Sequence, residues 1–147
     1  MTWQRFYHRI FVEMLQEMQE SVERLSITNP NSYKKSTQAK LFESILATVD
    51  FVAENPTQRE FLLGNTLGEK HRDWRRAKRL MPPRYRLFFK FFAQHEEIYY
   101  AWFNGARTLR HEGSKKDVYY IFRSMLDRGE MASDREELKG CSSESMS

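Results

Sequence analysis

Apolar residues recur at helical spacing near the start of the chain: Tyr7, Ile10, Phe11, Met14, Leu15, Met18, Val22 and Leu25. Positions three and four apart share one helix face, so the spacing predicts an amphipathic helix with a single apolar stripe. Glu13, Glu17, Glu20 and Glu23 take the remaining faces. A short extended piece around Trp3–Phe6 is expected to precede it. Asn29-Pro30 supplies an N-cap and an N1 proline, and predicts the start of a second helix there. Leu41, Phe42, Ile45, Leu46, Val49 and Val52 carry its stripe until Asn55-Pro56 stops it. Two long helices joined by a short polar turn make a hairpin, whose plainest role is to cover a core.

The pattern changes after Gly64. Glycines at 64 and 68 mark turns, and Pro82-Pro83 breaks any helix. Arg84–Phe92 then alternates. Tyr85, Leu87, Phe89 and Phe91 point one way, and Arg84, Arg86, Phe88, Lys90 and Phe92 point the other. Period two with many aromatics predicts a strand. The polar loop Ala93–Glu97 leads to a second strand, Ile98–Phe103, and Asn104-Gly105 is a turn. A further strand is expected over Trp74–Leu80, with Trp74, Arg76 and Lys78 on a common face. Asp117–Arg128 carries Val118, Ile121, Phe122, Met125 and Leu126, a closing helix ended by Gly129. Helices followed by strands indicate an α+β fold, not a wound parallel sheet. The expected organisation is one domain over 1–139 and a Ser-rich, disordered tail over 140–147.

Composition narrows the class. The 147 residues, 40% hydrophobic and 14% aromatic, are enough for a core of their own. No apolar run approaches the roughly 18–20 residues of a membrane span. Charges run through the amino-terminal apolar stretch, which excludes a signal peptide. The single cysteine, Cys141, leaves no internal disulfide, and no His/Cys cluster has zinc spacing. A cytoplasmic protein with no bound metal, no cofactor and no membrane partner is expected.

Charge changes the picture more. Between Lys70 and Arg128 there are 15 Lys/Arg against 6 Asp/Glu, so a net +4 conceals a segment at +9. Its densest part, 71–92, interleaves Arg and Lys with Trp, Tyr and Phe. Such a surface attracts phosphate and stacks bases, so RNA or DNA is the first partner to consider. A merely solvated charged face is the plainer alternative. Burying unpaired cations costs several kcal/mol, so the face of Arg84, Arg86 and Lys90 is expected to look outward. Arg107, Arg110, His111, Lys115, Lys116 and Tyr119 lie in the loop and first turn before the last helix. RNA cleavage by attack of the ribose 2′-hydroxyl needs neither a protein nucleophile nor a metal. It needs charge neutralisation and proton transfer, which Arg, Lys, Tyr or His supply. Paired carboxylates and a glycine-rich phosphate loop are both missing. His71, His95 and His111 read as surface residues. Tyr119 and Tyr120 sit side by side, one toward the core and one toward the site.

Several stretches resemble the YhaV family of toxins from type II toxin–antitoxin modules. They are NPNSYKKSTQAKLF (29–42), LG (67–68), DWRRAK (73–78), RYRLFFKF (84–91), WFN (102–104), TLR (108–110) and KKDVYYIFRSMLDRG (115–129). The resemblance implies a RelE-like fold: an N-terminal helical hairpin on a small twisted antiparallel sheet, with a C-terminal helix. It implies a metal-independent endoribonuclease that cleaves mRNA and arrests translation and growth, neutralised by an AbrB-like antitoxin. Operator DNA, through the antitoxin complex, and the ribosome are further partners it brings in. Residue by residue it assigns catalysis to Arg76, Arg86, Arg110, Lys116 and Tyr119. In related toxins the tyrosine stacks on a base or assists proton transfer. Lys78, Arg84, Lys90, Arg107, His111 and Lys115 are the expected RNA contacts. The competing readings are a non-catalytic RNA- or ribosome-binding module and a domain whose basic face pairs with an acidic protein.

Overall fold

The computed structural model describes residues 2–147. Strand β1 (Gln4–His8) runs into helix α1 (Arg9–Thr28), and α2 (Thr37–Glu54) returns beside it. A long irregular stretch leads to β2 (Arg75–Ala77), β3 (Leu87–Phe92) and β4 (Glu97–Phe103). Helix α3 (Val118–Asp127), the short α4 (Arg135–Gly140) and β5 (Ser142–Ser143) complete the chain. The sheet order is β2-β3-β4-β1-β5, and every pairing is antiparallel except that of β1 with β4. This is the α+β, RelE-like plan the resemblance implies, with one parallel pairing in the otherwise antiparallel sheet. The parallel pair is available because the helical hairpin carries the chain back across the sheet between β1 and the later strands.

Both faces of the sheet are covered. On one, Tyr7, Leu87, Phe89, Ile98, Tyr100 and Phe103 pack with Phe11 and Leu15 of α1 and Leu41, Ile45, Val49 and Val52 of α2. On the other, Phe6, Phe88, Tyr99, Ala101 and Trp102 pack with Trp74 and with Val118, Tyr119, Phe122 and Leu126 of α3. Phe88 and Phe122 stack with centroids 4.3 Å apart, and Trp102 stacks on Phe122 at 5.6 Å. The stripes read for α2 and α3 are the ones that bury, whereas in α1 only Phe11 and Leu15 are fully buried, Val22 and Leu25 stay half-exposed, and Tyr7 belongs to β1.

Four expectations need correction. Helix α2 begins at Thr37, not at Asn29-Pro30: the Ser36 side chain caps it, accepting from the Ala39 N–H at 3.1 Å. Asn29 instead closes α1, its N–H donating to the Leu25 carbonyl. The strand expected from Arg84 begins at Leu87, because Arg84 adopts a left-handed backbone, φ 72°. The strand expected over Trp74–Leu80 spans only Arg75–Ala77, which leaves Lys78 exposed beyond its end. Finally, the tail is not free: Ser142 and Ser143 pair with His8 and Tyr7, and Met146 packs on the core. The Arg9 N–H donating to the Cys141 carbonyl extends that pairing along the outer edge of β1.

Candidate active site

The site is organised around one tyrosine. Asp117 caps α3, its Oδ2 accepting the Tyr119 N–H at 2.9 Å. Its Oδ1 accepts the His111 N–H at 2.6 Å and Arg110 Nη1 at 2.9 Å. One carboxylate thus fixes the start of the helix and the loop before it. Burial pushes the Asp117 carboxyl up, but the hydrogen bonds from His111, Arg110 and Tyr119 outweigh it and hold it below its ordinary value. The bond to Asp117 likewise raises the Arg110 guanidinium, against the opposing effect of burial.

Tyr119 is 5% exposed, with its ring edge-on to Phe88 at 5.7 Å. Its hydroxyl oxygen accepts Arg76 Nη1 at 2.9 Å and Arg86 Nε at 3.1 Å. The Arg110 guanidinium lies over the ring, 4.9 Å from its centroid. Three arginines, one from β2 and two from the loops that precede β3 and α3, therefore meet at one phenol. Among the described residues neither Arg76 nor Arg86 has a salt-bridge partner, and the buried Nε of Arg76 has no hydrogen-bond partner. Uncompensated guanidinium groups held in fixed orientation make an anion site, and their forked donors match phosphate oxygens. A cleft of about 420 Å³ opens beside them, lined by Arg110, Lys115, Asp117, Tyr119, Tyr120 and Arg123 among others.

A second polar residue holds the site together, and the sequence reading missed it. Asn104 is wholly buried at the end of β4. Its Oδ1 accepts the Arg86 N–H at 2.7 Å, and its Nδ2 donates to the carbonyls of Arg84 and Thr108, at 3.2 and 2.8 Å. Arg84 and Arg110 add a reciprocal pair, Arg110 N–H to the Arg84 carbonyl at 2.9 Å and Arg84 Nε to the Arg110 carbonyl at 3.0 Å. The strained φ of Arg84 persists because these bonds over-determine it. Asn104 thereby ties the backbone of Arg86 to the loop that presents Arg110. The turn reading of Asn104-Gly105 could not reveal this, since its partners lie 18 and 20 residues away.

The model of one family, toxins with endonuclease activity of toxin–antitoxin systems, matches residues 5–142. The chain belongs to the YhaV toxin family. The ribonuclease toxin YhaV of Escherichia coli K12 is 33% identical over 138 residues, covering 92% of this chain and 89% of the relative. The toxin YhaV of Escherichia coli O6:H1 matches with the same identity and coverage. No solved structure gives a significant match. Membership makes this YhaV-family chain an endonuclease toxin, with an antitoxin as its partner. Among the described residues, no helix is long and apolar enough to cross a membrane.

Within this chain, the residues expected at the site separate into four groups. Arg76, Arg86, Arg110 and Tyr119 come together, while Lys115 lines the cleft beside them. Lys116, expected among the catalytic residues, is exposed and lies outside the cleft lining. Lys78, Arg84, Arg107 and His111 are exposed; of these, Arg84 and His111 are tied to the site by backbone and side-chain bonds to Arg110 and Asp117. Lys90 breaks the outward-facing expectation. It is 5% exposed, its Nζ 2.7 Å from Asp73 Oδ2 and 2.6 Å from the Ser133 carbonyl, 5.4 Å from the Trp74 ring. Alternation placed it correctly on the α3 face, but that face is covered there, and a paired cation is tolerated where an unpaired one is not.

Proposed function

We propose that this YhaV-family toxin cleaves mRNA without a metal, through attack of the ribose 2′-hydroxyl on the adjacent phosphate. One observation carries the reading: the Tyr119 hydroxyl held between Arg76 and Arg86, with Arg110 across its ring. The relative named a ribonuclease supports RNA as the substrate. Arg76, Arg86 and Arg110 bind the non-bridging oxygens and neutralise the charge that grows as the 2′-oxygen closes on phosphorus. The 2′-hydroxyl proton passes to water as the bond to the 5′-oxygen breaks. A phenol oxygen that already accepts two arginine N–H groups has only its own O–H left to donate. Tyr119 gives that proton to the departing 5′-oxygen and is reprotonated from water. The products are a 2′,3′-cyclic phosphate and a 5′-hydroxyl, with no group supplied from outside.

The protein acts in the cytoplasm, as a type II toxin. Its antitoxin is of AbrB-like type, with an acidic segment that covers the arginine cluster. That complex is what contacts operator DNA. The family's endonuclease activity weighs against a non-catalytic RNA- or ribosome-binding module.

The test is incubation of the purified protein with RNA in excess EDTA, followed by end-group analysis. Cyclic phosphate ends from the wild type, and at matched times far fewer from Arg86→Ala, are expected. Cleavage that stops in EDTA, or an Arg86→Ala protein that cuts at the wild-type rate, overturns the mechanism.

A further inference from the structure

The tyrosine at the centre of the site has no ring face to offer a substrate. Tyr119 is 5% exposed, with Phe88 against it and Arg110 over it. Its neighbour is the opposite case. Tyr120 is 48% exposed, whereas Tyr7, Tyr85, Tyr99, Tyr100 and Tyr119 are all buried. That exposed ring lines the same cleft as Tyr119.

We propose that Tyr120 is a stacking platform for one unpaired base of the RNA, and that Arg123 holds the phosphate next to that base. The proposal rests on the ribonuclease reading above and names the substrate contacts beyond the bond that is cut.

Charge in the cleft favours a nucleotide. Arg110, Lys115 and Arg123 line it against a single carboxylate, Asp117, which is already bonded to Arg110. Arg123 lies one helical turn beyond Tyr120, on the same side of α3. Its guanidinium is seated on the backbone of Gly68, where a Cβ would come within 3.2 Å of the Arg123 Cζ. Gly68 also has a φ of 87°, so glycine both makes the turn and leaves room for the arginine. The charge of Arg123 is only weakly met. Its Nε is 3.6 Å from Asp127 Oδ2, while Asp127 Oδ1 is bonded to His71 at 2.8 Å.

Arg123 also forms a wall of an adjoining cleft of about 400 Å³, shared with Leu67, Lys70 and His71. That cleft carries Glu69 and Asp127 as well, so the attraction for phosphate weakens beyond Arg123. The assigned track is therefore short: arginine cluster, Tyr120, Arg123. A flat ring with a cation beside it suits a single-stranded nucleotide and ignores base identity.

The experiment uses fully 2′-O-methylated single-stranded RNA, which cannot be cleaved, with 2-aminopurine placed at each position in turn. Wild-type protein is expected to change the fluorescence strongly at one position. Tyr120→Ala is expected to remove that change and weaken binding about tenfold. Tyr120→Phe restores both. Arg123→Gln keeps the stacking signal but lowers the salt dependence of binding by about one phosphate contact. Tyr120→Ala binding as tightly as wild type overturns the proposal, as does Tyr120→Leu restoring the signal as well as Phe. So does a wild type that does not bind this RNA. A failure of the cleavage mechanism shows separately, as the missing cyclic phosphate from unmodified RNA.

Discussion

The two faces of the sheet use the same strands for opposite purposes. Toward α1 and α2 the contact is almost wholly apolar, and the Tyr100 hydroxyl is satisfied locally by the Val49 carbonyl at 2.7 Å. Toward α3 the apolar layer is interrupted by cations: Lys90 at one end, and Arg76 and Arg86 at the Tyr119 hydroxyl. Lys90 is neutralised by Asp73; the two arginines are not. An interior tolerates a charge only when a partner or a ligand meets it. The hairpin face therefore holds the fold, and the α3 face carries an unmet positive charge at Arg76 and Arg86.

The comparison can be broken most sharply by truncating the hairpin side. Ile45→Ala, at a fully buried position, is expected to cost about 2–5 kcal/mol in denaturant unfolding. Cleavage per folded molecule should stay near wild type. Next in size is Arg86→Ala, expected to lower kcat by about 10²–10³-fold, as loss of one transition-state donor does, with little change in melting temperature. Equal losses of stability from the two variants would erase the distinction between the faces.

Asn104→Asp keeps the shape and the acceptor for Arg86 but turns the Nδ2 donor into a second acceptor. It then confronts the carbonyls of Arg84 and Thr108. Unfolding should be easier by about 1–3 kcal/mol, with kcat falling more than KM rises. An unchanged kcat would show that the clamp does not position Arg86. The smallest effect is expected from Lys90→Met, which fills the same space and leaves Asp73 in solvent. A stability change within about 1 kcal/mol and an unchanged salt dependence of RNA binding would mark Lys90 as structural.

Acid offers a further contrast. The folded-state carboxyls of Asp117 and Glu97 both lie below their ordinary values: Asp117 through the bonds at the start of α3, which outweigh its burial, and Glu97 chiefly through Arg135. Their stabilisation is present above the ordinary carboxylate range and is lost as pH falls through the depressed values. Urea unfolding at pH 7 and at pH 3 should show a loss that shrinks in Asp117→Asn. A full-sized loss in that variant would place the acid sensitivity elsewhere.

The sequence made some of this legible and hid the rest. The stripes of α1 and α3 were readable because each helix buries one face, so period and burial coincide. The aromatic alternation of β3 was readable as a strand, but which side met solvent was not. With helices on both faces, neither set of alternate residues is the exposed one. Lys90 was misplaced for that reason, since its partners Asp73 and Ser133 are far away in sequence. The start of α2 was misjudged because Asn29-Pro30 satisfies two rules at once, and Ser36 satisfies one of them later. Arg76, Arg86, Arg110 and Tyr119 were nameable from the resemblance. Their convergence on one hydroxyl, and the roles of Asn104 and Asp117, depend on contacts that spacing does not encode.

Strand β1 also sets a schedule for the enzyme. It is made first, yet it lies between β4, roughly 90 residues later in the chain, and β5 at the far terminus. Long-range pairings of this kind close slowly and only once both partners exist. A chain still emerging from the ribosome therefore lacks α3, Tyr119 and the outer edge of its own sheet. The site is therefore assembled only after the segments that supply α3 and β5 have been made.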